Sequence, residues 1–278
     1  MFDSSDDTHH RCRSASNGKA RFVKFLVLIK EVPDTWGDRR LDVLSGRIDR
    51  EGAESVVDEI GERALEVALS YRDIHKDTEI VALSMGPDSI VKSLRKCLAM
   101  GATSALHLVD TALAGADLLM TARALAAAIR REGFDVVLTG NESTDGRGGA
   151  LPAMIAELLG VPQLTFANSV EFADGQVRCH RATETGSVEL CAALPAVVSI
   201  TEAMPDARFP NLKGLMTAKK KPIRTVVLED LALGAVTPGR STVLLTAQRP
   251  ARAGGVKVFD TGNAGNDLAD FLVDKRLL

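Results

Sequence analysis

Phe25-Leu26-Val27-Leu28-Ile29 is an uninterrupted apolar run of strand length. A strand apolar on both faces must be covered on both, which places it in the middle of a sheet flanked by helices. The following residues, Lys30-Glu31-Val32-Pro33-Asp34-Thr35-Trp36, form a loop at its carboxyl end, because Pro33 forces an extended or turning backbone. Downstream the same alternation repeats. Residues 54–71 carry Val57, Ile60, Ala64, Val67, Ala68 and Tyr71 at three- and four-residue spacing, which predicts a helix. Ile80-Val81-Ala82-Leu83 reads as a second buried strand, and Ile90, Val91, Leu94, Cys97 and Leu98 as the next helix, with Gly101 at its end. Strand 105–109, helix 118–132, strand 134–139 and helix 150–159 complete the series. Alternating strands and helices predict right-handed crossovers and a Rossmann-like parallel sheet with helices on both faces.

After residue 160 the pattern changes. Leu164–Val170 and Gln176–Ala182 read as an antiparallel pair turned at Ala173-Asp174-Gly175, with Ser187–Cys191 alternating in the same way. Ala196-Val197-Val198-Ser199-Ile200 is again a buried strand. Beyond about 203 no periodic element lasts, and Pro205, Pro210, Pro222, Pro238 and Pro250 punctuate the chain. A stretch this long without lasting elements predicts an extended arm lying along a partner. Its end, with Leu268, Phe271, Leu272, Val273, Leu277 and Leu278, has the spacing of an amphipathic docking helix. The expected organisation is therefore an extension at 1–22, poorly ordered for want of any apolar pattern, an α/β domain at 23–202 and a partner-facing arm at 203–278.

Composition excludes several classes. The 278 residues include 34 Lys plus Arg against 37 Asp plus Glu, a formal charge of −3, which disfavours a nucleic-acid partner. The chain is 45% hydrophobic and 26% charged, ordinary globular values that exclude global disorder. No apolar run reaches the roughly 18 residues of a membrane span, and the first 21 residues lack a secretory core, so the cytoplasm is the expected location without membrane insertion. The cysteines at 12, 97, 179 and 191 contain no C-x-x-C pair, so no zinc knuckle is indicated.

In an open parallel sheet, ligands sit beyond the carboxyl ends of the strands. Leu28–Trp36, Ser84–Pro87, Asp110–Asp117 and Gly140–Ala150 converge there. In the last, Gly146, Gly148 and Gly149 leave backbone N–H groups open to a ligand, ahead of a helix whose positive end suits phosphate. The loop matches neither the Walker pattern nor G-x-G-x-x-G, and a bland flexible turn is its competing reading. Asp145 can cap the coming helix or accept from ribose hydroxyls or amides, and Asp117 can cap its own. His107 in a strand reads as a structural histidine. Trp36 is either a lid on the core or a surface for a flat ring. The run Lys219-Lys220-Lys221 with Arg224 is a solvated surface or a steering patch for an acidic partner. No catalytic triad, carboxylate pair or metal cluster is recognisable, so the features hold a nucleotide without an acid, base or nucleophile.

Five segments in register resemble the beta subunit of electron transfer flavoprotein of actinobacterial type. They are Val27 through Trp36, Leu98-Ala99-Met100-Gly101-Ala102, Asn141 through Gly146 with Gly140 before it, Leu194 through Val198, and Ala218-Lys219-Lys220-Lys221. The resemblance spans 24–278. It implies a larger alpha subunit that holds most of one redox-active FAD, and a structural AMP on this chain. The AMP site carries over to Leu28; to Asp58, Glu59, Ile60 and Gly61; to Met85; and to Asn141, Glu142, Ser143, Thr144, Asp145, Gly146, Arg147, Gly148, Gly149, Ala150, Leu151 and Pro152. The family's D-G-D-T-G-Q-V-G is altered here at Arg147, Gly148, Ala150, Leu151 and Pro152, where backbone contacts can survive. Trp36 and Ile60 fall at flavin-flanking positions. Leu212 falls at the hydrophobic anchor of a partner-recognition loop, 201–221, whose common N-E-P-R is here Pro205-Asp206-Ala207-Arg208. The implied role is an electron carrier, not an enzyme, that accepts electrons from acyl-CoA dehydrogenases and related flavoenzymes and passes them toward a membrane quinone oxidoreductase. A bifurcating subgroup with a second FAD in place of AMP is marked by A-G-A-D-T-x-A-T. Ala114-Gly115-Ala116-Asp117 and Thr121 match it, and Leu118 departs from it. From the residues alone, a standalone adenine-nucleotide sensor of the universal-stress type also stays open.

Overall fold

The computed structural model describes residues 23–37, 39–50, 52–233, 243–247, 250, 254–255 and 257–278. The extension expected at 1–22 lies outside the described residues. Two compact units divide the chain, Met1–Leu244 and Leu245–Leu278.

The first unit is built on the run quoted above. Strand β1 (Lys24–Leu28) is followed by a two-stranded excursion, β2 (Glu31–Pro33) and β3 (Ser55–Val57), and then helix α1 (Glu59–Ile74). The helix expected from residue 54 thus starts at 59. Ser55–Val57 pairs antiparallel with Glu31–Pro33, and the Asp58 side chain then caps the first turn by accepting from the Ile60 N–H. Next come β4 (Glu79–Met85), α2 (Ile90–Met100), β5 (Ser104–Leu108), α3 (Leu118–Glu132), β6 (Val136–Gly140) and α4 (Leu151–Leu159).

The predicted strand 164–170 divides. Its first half, β7 (Gln163–Ala167), joins the main sheet, while β8 (Ser169–Ala173), β9 (Gln176–Thr183) and β10 (Gly186–Ala193) form a separate antiparallel sheet. Alternation alone does not show a strand changing sheets. The change is made at Phe166, with φ of 58°, and at a register shift against β11 (Ala196–Ile200).

Past residue 203, where no lasting element was expected, α5 (Leu212–Ala218) and β12 (Ile223–Val226) are both formed. β12 is too short to show a period, yet it pairs with β5 from Ile223↔Ala105 to Val226↔Leu108. The main sheet is seven-stranded and parallel throughout, in the order β12-β5-β4-β1-β6-β11-β7.

β1 is central, and its alternation feeds two cores. Phe25, Val27 and Ile29 pack with Leu65, Leu69, Leu94 and Leu98 of α1 and α2. Leu26 and Leu28 pack with Leu125 and Ile129 of α3 and Ile155 of α4. Burial of each such side chain contributes roughly 1.5–3 kcal/mol. The second unit contains α6 (Ala264–Asp274), where the amphipathic spacing predicted a helix; Leu268 and Phe271 are exposed on it.

Candidate functional site

From β1 the sheet grows through β4 to β5 on one side, and β6 then returns to the other side of β1. Such a reversal opens a crevice at the carboxyl ends of the two central strands. Leu28 ends one wall and Gly140 the other. The loop 141–150 emerges at that point and leads into α4.

Asp58 fixes the loop to α1. It is buried, and while Oδ1 serves the helix cap at 3.2 Å, Oδ2 accepts from the Thr144 N–H at 2.7 Å and from Thr144 Oγ1 at 2.9 Å. One carboxylate therefore sets both the start of α1 and the path of the loop. Asp145 does not cap α4. Its side chain lies between Lys30, which donates at 2.7 Å, and Arg50, and it also accepts from the Gly146 N–H at 2.6 Å. Burial pushes the Asp145 carboxyl up, but Lys30, Ser143 and Arg50 outweigh it and hold the group well below the usual carboxylate range. Lys30 also donates to Ser143 Oγ at 3.0 Å, and Arg39 donates to Thr144 O and to Thr144 Oγ1.

Beyond Asp145 the loop opens. Gly146, Arg147 and Gly148 are exposed, and Ala150, at the start of α4, provides no side-chain cap for that helix. Gly149 has φ of 60°, and a Cβ there would also touch the Phe166 ring at 3.4 Å. Arg147 holds φ of 46°, a conformation costly for a side chain of its kind. The N–H groups at the start of α4 have no side-chain cap and suit an anion, while Lys30 and Arg50 hold Asp145 and Arg39 holds Thr144 in the same loop.

Among the described residues Glu62 Oε1, Ser104 Oγ and Asn141 Oδ1 are buried without a hydrogen-bond partner, and the last of them lies at this crevice. Asn141 is 8% exposed and its Oδ1 has no hydrogen-bond partner, although its N–H donates to Ile200 O at 2.8 Å. Leaving such an acceptor unmet costs about 1–3 kcal/mol, so a donor from a ligand is the natural complement.

The other expected site residues sort by exposure. Leu28, Ile60, Gly61 and Pro152 are buried; Met85, Glu142 and Leu151 are partly exposed; Glu59 is exposed. Ile60 is packed so closely on Gly140 that a Cβ on that glycine would lie 2.9 Å from Ile60 Cγ2. Trp36 is 95% exposed, so it covers no core of this chain and presents its ring outward. Asp117 caps α3 by accepting from the Met120 N–H, and His107 is buried with Nε2 hydrogen-bonded to Gly86 O at 2.9 Å. Among the described residues no group of three or more His, Cys, Asp or Glu could hold a metal, and no helix is long and apolar enough to cross a membrane.

Lys30, Arg39 and Arg50 were not singled out from sequence. The available signal was four arginines, at 39, 40, 47 and 50, within twelve residues of a mildly acidic chain.

A second surface lies on the segment between β11 and β12. Leu212 is 75% exposed at the start of α5, beside the exposed Phe209, Leu215 and Met216. The approach to it is fastened to α1. Arg208 donates to Glu66 at 2.7–3.0 Å and to Asp73 at 2.8 Å, and Arg63 donates to Met204 O and pairs with Asp206.

Comparison with known proteins adds sequence kinship to this geometry. The electron transfer flavoprotein domain family matches residues 45–231. The chain is 42% identical over 266 residues to the electron transfer flavoprotein subunit beta of Mycobacterium tuberculosis, covering 92% of this chain and 100% of that protein. The corresponding protein of Mycobacterium leprae is 41% identical with the same coverage. The caffeyl-CoA reductase-Etf complex subunit CarD of Acetobacterium woodii is 33% identical over 258 residues, covering 91% of this chain and 97% of that one.

Proposed function

Since this chain belongs to the electron transfer flavoprotein beta-subunit family, we propose that it is the beta half of a heterodimeric electron carrier whose own crevice holds a structural AMP. The observation that carries this reading is the unmet Oδ1 of Asn141 at the mouth of the β1–β6 crevice, beside a loop fixed by Asp58 and flanked by three cations. AMP supplies what that arrangement lacks, an N–H donor at one end and a phosphate dianion at the other. The AMP-contacting residues are those of the crevice: Leu28, Asp58 to Gly61, Met85 and Asn141 to Pro152.

The redox chemistry would be supplied by an FAD held mostly by the alpha subunit. This chain contributes shape and a docking surface. Of the two flavin-facing candidates, Trp36 has its ring exposed for that contact, whereas Ile60 is packed against Gly140. The exposed apolar group at Leu212 meets acyl-CoA dehydrogenases and related flavoenzymes, electrons leave toward a quinone oxidoreductase, and the C-terminal arm with α6 lies on the alpha subunit. The carrier works in the cytoplasm.

The test begins with the isolated chain, which should be colourless, and with the chain co-expressed with its alpha subunit, which should be yellow and elute as a heterodimer. Mass spectrometry of the released nucleotide should give one AMP per heterodimer in addition to one FAD. Two FAD and no AMP would instead identify a bifurcating carrier, and a flavin-free homodimer responsive to ATP would identify a sensor. Asn141→Leu removes the unmet acceptor. It should leave the thermal stability of the empty chain unchanged or raised while lowering AMP affinity about tenfold, the effect of one lost hydrogen bond to a ligand.

A further inference from the structure

Helix α5 has seven residues, far fewer than the ~12–15 at which an isolated helix becomes even marginally stable in water. It therefore depends on what it rests against, and that is the C-terminal half of α2. Three contacts seat it. A Cβ at Gly214 would lie 2.2 Å from Ala99 O, so the two backbones touch and only glycine fits. Lys221 Nζ, just past α5, donates to Leu98 O at 2.8 Å and to Ala102 O at 2.7 Å, at the end of α2. In return, Arg95 of α2 donates from Nη1 to Ala218 O and to Lys221 O, both at 2.7 Å, at the end of α5.

The exchange is reciprocal. Leu98 O at the end of α2 takes its donor from Lys221, while Ala218 O at the end of α5, which also accepts from the Lys221 N–H at 3.2 Å, receives the Arg95 guanidinium. The face of α5 turned away from α2 carries Leu212, Leu215 and Met216, all exposed. A short apolar face loses least on docking when it is already rigid. Lys221 is thus separated in role from its neighbours Lys219 and Lys220, which are exposed.

We infer that Arg95 and Lys221 are positioning residues that hold the docking helix rigid for the electron donor. The inference rests on the docking reading given above and adds to it the residues that act through α5 without touching the donor.

The experiment uses the full chain with its alpha subunit, loaded with FAD, and an acyl-CoA dehydrogenase reduced by its own substrate as electron donor. Lys221→Met removes the ammonium and keeps most of the stem. It should raise the KM for the heterodimer about tenfold, the effect of losing hydrogen bonds from a charged donor, and leave kcat within about twofold. Lys221→Arg, which can still donate to carbonyls, should restore most of the loss. Amide hydrogen exchange over residues 214–218, measured without any donor present, should accelerate about tenfold in Lys221→Met. Unchanged KM and unchanged exchange would overturn the inference. Faster exchange with unchanged KM would overturn it too, because the helix would then be loosened without consequence for docking. Leu212→Ala separates this from the underlying reading: if it also leaves KM unchanged, the segment is not the docking site, and if it alone raises KM, only the positioning role falls. Should Lys221→Met fail to fold, Arg95→Gln breaks the same exchange from the α2 side and is judged by the same two measurements.

Discussion

Asp58→Asn is the most informative change at the β1–β6 crevice. The carboxylate is buried and answers three donors: the Ile60 N–H at 3.2 Å, the Thr144 N–H at 2.7 Å and the Thr144 hydroxyl at 2.9 Å. An amide of the same size has one oxygen. If that oxygen faces Thr144, the NH2 group meets the Ile60 N–H and the cap of α1 is lost. If it faces Ile60, the NH2 group meets the Thr144 N–H and the loop is repelled. Either rotamer leaves one main-chain donor unanswered, at a cost of about 2 kcal/mol. For a chain of this length that lowers Tm by about 4 °C. If the loop must follow its present path to hold AMP, the same 2 kcal/mol weakens binding about 30-fold. Differential scanning calorimetry of the empty chain and isothermal titration with AMP read the two effects separately. A Tm that falls as expected while AMP affinity stays within twofold of wild type would refute the reasoning, because the loop would then be displaced without loss of its ligand.

Other outcomes can be checked alongside. Gly149→Ala forces a Cβ into φ of 60° and toward Phe166, and should cost about 1–2 kcal/mol in urea unfolding together with a loss of AMP affinity. Leu212→Ala should slow electron transfer from dehydrogenases while leaving AMP content and alpha-subunit binding intact; equal losses in all three would remove its docking role. Asp145, Glu66 and Glu132 carry carboxyls that burial raises and their cationic partners lower further, for a net depression. Folding therefore favours their ionised forms. Their contribution is fully present above the unfolded value of about 4 and is lost as pH falls through that value toward the folded ones. Tm should hold steady near neutrality and drop between about pH 5 and 3, more steeply in wild type than in Asp145→Asn. Burial raises the Cys97 thiol to about 12, so native protein at pH 8 should resist alkylation by iodoacetamide at this position until it is unfolded.

The sheet was legible because its central strands announce themselves. A run such as Phe25–Ile29 admits no other placement, and the helices between such runs keep a clear apolar stripe. The elements that were missed or misplaced are those whose pairing lies far away in sequence. Ile223–Val226 has a partner more than a hundred residues earlier, and Gln163–Ala167 leaves its expected hairpin for β11. No local period records either choice. The same holds for the site. The glycines of the loop were visible because their chemistry is local, and so was Asp117 as a cap. For Asp145 the local sequence leaves a helix cap and acceptance from amides or hydroxyls both open, whereas Lys30 and Arg50 reach it across 115 and 95 positions. Lys221 sat in a run that read as solvated, and only the fold shows it donating to α2.

Between β11 and β12 the chain must travel from one flank of the sheet to the other, past β6, β1, β4 and β5. At about 4.8 Å per strand that is a journey of roughly 24 Å. It is made across the outside of α1 and α2, with Arg63, Glu66 and Asp73 gripping its first half and Arg95 its second. The segment is a belt, buckled to α1 and α2, and α1 begins at Asp58 beside the crevice. On the docking reading, changes on the outer side of α1, which grips this segment through Arg63, Glu66 and Asp73, will therefore masquerade as docking defects. A kinetic lesion mapped to Glu66 or Asp73 should be sought first in the belt.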